Sequence, residues 1–359
     1  MKKLYSFLIL LAALSGFAQI PAGYYNSATG TGYTLKTQLY NIIKNHTDKT
    51  YAGLYVTYTT SDKDFYYEND GTMLDMYTEQ PTGSECEFTY GVNQDDGTGG
   101  NTECDKYNRE HLIPQSVFGA QTPMYSDAHF VVPSDKHVNA VRADFPFGRV
   151  GTATYTSNNG SKLGGNLNSG YSAGYTGTVF EPIDEFKGDI ARMYFYFATR
   201  YQNLVAGWTY PMFNGTADQV FTSNAINILL TWANQDPVSQ REIDRNNAIY
   251  ARQNNRNPYI DHPEYAMQIW GSLLSTPSFD GANQIVVYPN PSNNHKINII
   301  SPIALESIEL ITVSGQSIQN IKHPSAISET YILDNLPSGF YFLKLGSGGA
   351  FATRKILIQ

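Results

Sequence analysis

The chain is poor in charge, in cysteine and in long apolar runs, and each shortage excludes something. Charged residues make up 16% of the 359 residues, well below the ~25% of an average soluble protein, which excludes a charge-driven disordered chain. Beyond the N-terminus no stretch of ~18 consecutive apolar residues occurs, which excludes a multi-span membrane protein. Cations are in deficit, with 24 Lys and Arg against 32 Asp and Glu. Removing Lys2 and Lys3 with a leader would take the net charge from -8 to -10. Such a chain does not coat nucleic acid by charge alone, although a metal ion could supply positive charge locally. No His-Glu-x-x-His and no helix-turn-helix or zinc-finger pattern is present, so a zincin and a base-reading protein are both disfavoured. What remains is rich in tyrosine (27) and glycine (30), as in a polar, loop-rich exported protein. At ~150 residues per domain the length suggests two domains.

Lys2 and Lys3 precede an apolar run from Leu4 to Phe17, and Ala18 closes it. A basic start, a short apolar core and small residues describe a secretory signal peptide over 1–18, too short for an anchor. Cys86 and Cys104 are the only cysteines. In an exported protein the pair reads as a disulfide, with two free thiols or a metal half-site as alternatives. Counting both cysteines, it closes a loop of 19 residues, worth about 3 kcal/mol in the chain-entropy view.

Leu35, Leu39, Ile42 and Ile43 recur at helical spacing and predict a helix over 34–45. Helical patterns return over 189–201, 225–232 and 239–253. The last carries Arg241, Arg245 and Arg252 near one face, which reads as a solvated face. Residues 73–77 predict a short strand, and the Gly-, Ser- and Asn-rich 151–178 a long loop. Composition shifts at 272–284, predicting a linker between a larger first domain (19–271) and a tail (285–359). The tail shows β-type runs at 285–288, 297–300, 307–313, 339–345 and 354–358, spaced as in an all-β sandwich.

The tail carries Tyr288-Pro289-Asn290-Pro291, Gly315, Leu336-Pro337-Ser338-Gly339-Phe340-Tyr341 and a closing Lys355-Ile356-Leu357-Ile358. With these it resembles the C-terminal sorting domain of type IX secretion substrates in Bacteroidetes. That resemblance implies the type IX machinery as a partner, export across the outer membrane to the medium or cell surface, and removal of the tail afterwards. None of these residues is of a type that does chemistry.

Chemistry concentrates in 107–148: Asn108-Arg109-Glu110-His111, then Asp127-Ala128-His129 and His137-Val138-Asn139, then Arg142 and Phe147-Gly148. A histidine can take a proton from water at neutral pH, and a neighbouring carboxylate with an amide oxygen can hold a hard divalent cation. Singly these residues have plainer readings. A Glu-His pair is most often a surface or capping feature, His129 before Phe-Val-Val a half-buried strand residue, and His137 a solvated loop histidine.

In combination, the segment resembles the bacterial endonuclease I family of secreted nucleases, within the ββα-metal (His-Me finger) group. The match runs from Asn-Arg-Glu-His-x-x-Pro-x-Ser through Asp-x-His-x-x-x-Pro and Val-Asn-x-x-Arg to Phe-Gly. Lys187-Gly188-Asp189-Ile190-Ala191-Arg192 with Tyr201 extends it, so the resemblance spans about 25–272. It implies an α+β catalytic domain whose ββα core is braced by helices, His111 on a hairpin strand and Asn139 on the following helix. It also implies roles: His111 as general base, and Glu110 and Asn139 as ligands of one Mg2+ ion, with Ca2+ or Mn2+ admissible. Arg142, and with less claim Arg192 and Arg109, would hold the phosphate. His129 and Asp127 would stand behind the site. The implied reaction is hydrolysis of DNA, and of RNA, through contacts to backbone phosphates and with little sequence preference, by a monomer. Two departures stand out: Phe130 in place of a usual Asn, and Ala143-Asp144 in place of Gly-Asn. Two rivals compete with this reading. One is a secreted adhesion protein with a vestigial nuclease-like segment, and the other a zinc hydrolase using His111, His129 and His137.

Overall fold

A computed structural model describes residues 20–274, 284–313, 315–347 and 350–359. The expected leader, and most of the expected linker, lie outside them. The chain divides into two compact units, Met1–Ser272 and Leu273–Gln359.

The first unit opens with α1 (Gly32–Ile43) and α2 (Gly53–Ser61), then a two-stranded antiparallel sheet of β1 (Tyr107–His111) and β2 (Val131–Asp135), and α3 (Lys136–Arg142) directly after β2. A three-stranded sheet follows, β3 (Val150–Thr156), β4 (Lys162–Asn166) and β5 (Thr178–Glu181). It is closed by α4 (Lys187–Arg200), α5 (Ser223–Gln235), α6 (Gln240–Gln253), α7 (Pro258–Asp261) and α8 (Glu264–Trp270). All 14 residues of α4 are buried, so this helix is the axis of the domain rather than a surface element. Its aromatic side chains pack outward on every side, Phe195 stacking on Trp270 and Phe197 meeting Phe130 and Tyr201. Three of its four charged residues are ion-paired, Arg192 with Glu242, Asp189 with Arg241 and Lys187 with Glu181, and the fourth, Arg200, donates to His46 Nδ1.

Several expectations are corrected. Residues 73–77 form no strand; Met73 makes isolated bridges to Lys63 and Phe88, and a turn follows. The predicted loop over 151–178 contains the β3–β4 hairpin and the start of β5. Polar, half-exposed strands of this kind carry no apolar alternation to read. The arginines of α6 are not on a solvated face. Arg241 and Arg245 are 5% and 2% exposed, and Arg245 is bonded to Asp62 and the Ala128 carbonyl. Ser239 and Glu242 close a capping box at the start of that helix.

The second unit is all-β. β6 (Val286–Tyr288), β7 (Ile297–Ile300), β8 (Ser307–Thr312), β9 (Ser317–Lys322), β10 (Thr330–Leu333), β11 (Gly339–Ser347) and β12 (Ala350–Ile358) form antiparallel sheets ordered β10-β7-β6 and β12-β11-β8-β9. Ile297, Ile299, Leu310, Leu343, Leu345 and Ile356 form its own core. The α+β catalytic domain with an all-β tail is therefore the observed class. Two strands, β9 and β10, lie outside the β-type runs set out from the sequence.

Candidate active site

The site is built where β1 ends against α3. In β1 successive side chains alternate faces, so Asn108 and Glu110 look towards α3 while Arg109 and His111 look towards Tyr51 and Tyr125. Register holds His111 opposite Val131 and Glu110 opposite Val132. α3 follows β2 without a loop because Asp135 ends the strand and caps the helix, accepting from the His137 and Val138 amides. Asn139, one turn in, donates its Nδ2 to Asn108 Oδ1 (2.8 Å). A cleft of about 330 Å³ opens there, lined by Tyr51, Asn108, Arg109, Glu110, His111, Lys136, Asn139 and Asp144 among others.

His111 Nε2 lies 3.1 Å from the Tyr125 carbonyl. A carbonyl only accepts, so Nε2 carries the proton and Nδ1 is left as the basic nitrogen. The ring stacks on Tyr125, which stacks on Tyr51 at 4.0 Å. Burial pushes the imidazole down to about 4, with Arg109 and Arg142 acting the same way against the Tyr125 bond. The neutral, base-competent form therefore dominates at neutral pH.

Glu110 Oε1 accepts from the Tyr77 hydroxyl (2.8 Å) and from Arg142 Nη1 (2.9 Å), while Oε2 has no hydrogen-bond partner among the described residues. Burial raises its pKa, and the Arg142 guanidinium and Tyr77 hydroxyl oppose that. The residues present suit a hard divalent cation: the second Glu110 oxygen and the Asn139 Oδ1, left over from the Asn108 bond, are oxygen donors beside one cleft.

The other predicted residues go elsewhere. Arg142 is fully buried; it bonds Glu110, the His111 and Leu112 carbonyls and the Tyr210 hydroxyl, and does not line the cleft. Its place is behind Glu110 rather than against a phosphate. Arg192 forms a buried two-pronged pair with Glu242 (2.5 and 2.8 Å) and is likewise outside the cleft. A Cβ at Gly188 would meet the Asp236 carbonyl at 2.1 Å, so that motif serves helix packing. Asp127 accepts from Tyr196, Tyr201 and Gln253, and His129 Nε2 meets the Asn255 carbonyl. Burial works to raise Asp127, but His46, His129 and these bonds outweigh it and hold the carboxyl well below the usual range. Both residues lie in a buried network away from the cleft. His111, His129 and His137 are not brought together, and no group of histidines with metal-ligand spacing occurs among the described residues, which removes the zinc arrangement.

Arg109 is the predicted arginine that does face the cleft. Its guanidinium lies 3.5 Å from the Tyr51 ring centre and 4.2 Å from that of Tyr55, and it donates to the Tyr51 carbonyl. No carboxylate pairs with it among the described residues. Lys136, by contrast, is bonded to Asp95. Tyr77 and Tyr51, which hold Glu110 and Arg109, were not among the predicted site residues: Tyr77 lies in the segment expected to be a strand, and a motif does not record which side chain from another segment reaches it. The two departures also find a place. Phe130 fills the aromatic core beside Phe118 and Phe197. Ala143 ends α3 at φ 48°, a conformation that glycine adopts at less cost. The Cys86–Cys104 disulfide is formed, and the Cys104 amide donates to Asp135, tying the bridge to the cap of α3.

Comparison with known proteins fits this geometry. The Endonuclease I family pattern matches residues 31–264, and the secretion system C-terminal sorting domain matches 286–359. An extracellular ribonuclease of Bacillus subtilis (strain 168) is 34% identical over 276 residues, 74% of this chain and 84% of that protein. An extracellular ribonuclease of Bacillus amyloliquefaciens is 34% identical over 258 residues, 69% of this chain and 78% of that protein. With a sorting domain at its C-terminus and extracellular relatives, the protein is exported, and its substrate is nucleic acid. The chain belongs to the Endonuclease I family and is a secreted nuclease.

Proposed function

We propose that the protein is a metal-dependent endonuclease that hydrolyses phosphodiester bonds of RNA and DNA with little sequence preference. The observation that carries this reading is the single cleft holding a neutral His111, oriented by the Tyr125 carbonyl, beside the oxygens of Glu110 and Asn139. His111 Nδ1 accepts the proton of a water as it attacks phosphorus. Glu110 and Asn139 would hold Mg2+, with Ca2+ or Mn2+ as substitutes, and the ion when bound supplies Lewis-acid stabilisation of the phosphate charge. An amide in place of a second carboxylate leaves that site less negative, so it binds the ion loosely and leaves it more electrophilic. Arg142 holds Glu110 in register from behind. Arg109, stacked on two tyrosines and free of carboxylates, binds the phosphate backbone. One chain carries every group named, so a monomer suffices.

The relatives named as ribonucleases support RNA as a substrate, and the family name supports DNA. Backbone contact favours both, since the sequence carries no helix-turn-helix or zinc-finger motif to read base edges. The test is digestion of plasmid DNA and of RNA by the mature protein in Mg2+ and in EDTA, wild type beside His111→Ala. Mg2+-dependent cutting of either polymer, lost in a folded His111→Ala, is expected. No cutting by a folded wild type would sink the proposal and leave the adhesion reading.

A further inference from the structure

Away from the cleft, two loop segments bring carboxylates together. Asp64, Glu68 and Glu79 each place an oxygen within 4.8 Å of the others. Glu79 is 0% exposed, yet both its oxygens lack a hydrogen-bond donor, and so does Glu85 Oε1. No salt bridge to any of these four exists among the described residues. A buried carboxylate with nothing to bond is costly, and here it faces others of the same sign.

The arrangement is not a loose surface cluster. Asp64 is fixed by four backbone amides, those of Tyr66, Tyr67, Glu68 and Asn69. Glu79 is fixed through its backbone, its amide donating to the Asp75 carbonyl and its carbonyl accepting from Asn159 Nδ2. The bridges of Met73 to Lys63 and Phe88 hold the two segments side by side. Asp64 is thus held in place by its amides, while the Glu79 oxygens beside it keep their lone pairs unspent.

We propose that Asp64, Glu68, Glu79 and Glu85 form a second cation site, for a hard divalent ion of the Ca2+ type, separate from the catalytic one. Only oxygen donors are present. A carboxylate-only site built by protein suits Ca2+, whose ligands lie at about 2.3–2.6 Å, better than Mg2+, which keeps its waters. Two oxygens on one Ca2+ can stand about 4.8 Å apart, against about 4.2 Å for Mg2+. The ion would pin the 64–85 region. Tyr77, in the same turn as Glu79, donates to Glu110, so order in this region reaches the catalytic carboxylate. This site does not depend on the nuclease reading.

The test uses the full mature chain stripped with chelator, then titrated with CaCl2 while melting temperature and bound calcium are followed. Wild type is compared with Glu79→Gln, Glu68→Ala and Asn139→Ala. The expected result is a rise of several degrees in wild type and in Asn139→Ala. In Glu79→Gln and Glu68→Ala most of that rise is lost, with apparent affinity weakened at least tenfold. Glu68 is exposed, so its variant folds even if Glu79→Gln does not. A calcium response unchanged in Glu68→Ala and Glu79→Gln would overturn the proposal. So would an unresponsive wild type with a more stable Glu79→Gln, which would mean that Glu79 and Glu85 share only a proton.

Discussion

Arg142 has 0% exposure and spends both terminal nitrogens on Glu110, two backbone carbonyls and Tyr210. A guanidinium so placed fixes the carboxylate proposed to bind metal, and orients β1 through the carbonyls at its end. Removing it leaves Glu110 buried without its cation, which is worth about 3–5 kcal/mol for a broken buried pair. Arg142→Met should therefore lose that much in urea unfolding and also lose activity, although the residue touches no substrate. Adding Glu110→Gln should recover part of the stability and none of the activity. If Arg142→Met were as stable as wild type, the pair would not be holding the site.

At the level of elements, α3 depends on Asp135, whose carboxylate accepts from His137, Val138 and Cys104. Asp135→Ala should cost about 1–2 kcal/mol as a lost cap. It should also raise the metal concentration needed for half-maximal rate, since Asn139 rides on that helix, while Asp135→Asn should restore most of both. Melting curves and a Mg2+ titration check this. Which elements were legible follows from the same physics. α1, α4 and α5 bury one or more faces and so carry apolar residues at helical spacing, whereas α6 buries a mostly polar face and starts at a capping box of Ser239 and Glu242. β1 and α3 announced themselves through Glu110, His111 and Asn139, whose chemistry dictates their types. α2 is rich in Thr, Val and Tyr, poor helix formers by themselves, and helical here because Leu54 and Tyr58 are buried. The β3–β4 hairpin is polar and exposed, so its pairing leaves no pattern. Arg142 and Arg192 were legible as important but not as buried, because a motif records which side chain is needed and not which way it points.

For the whole molecule, acid is the informative perturbation. Burial pushes His129, like His111, from 6.5 down to about 4. Between those values the unfolded chain holds a proton that the native one lacks, so stability rises with pH across that window and falls on acidification. Below about 4 the native histidine protonates too and the term levels off. The His129 contribution is on the order of 3 kcal/mol. Stability measured by urea at pH 6.5 and 4.5 should fall steeply in wild type and less in His129→Gln; equal slopes would remove His129 from the account. The two units raise a second question, since the core around Leu39, Tyr58, Phe197 and Trp232 and the core around Ile299, Leu310 and Leu343 share no residue. Every group assigned to the cleft lies in the first unit. We therefore expect a chain ending at residue 274 to fold, to melt at the temperature of the first transition of the full protein, and to keep its kcat/KM on RNA and DNA. The same truncation should abolish release to the medium, because the matched sorting domain at 286–359 is gone. Full activity with lost export would assign the tail to delivery alone, whereas a fall in kcat/KM would place part of the nuclease in the second unit.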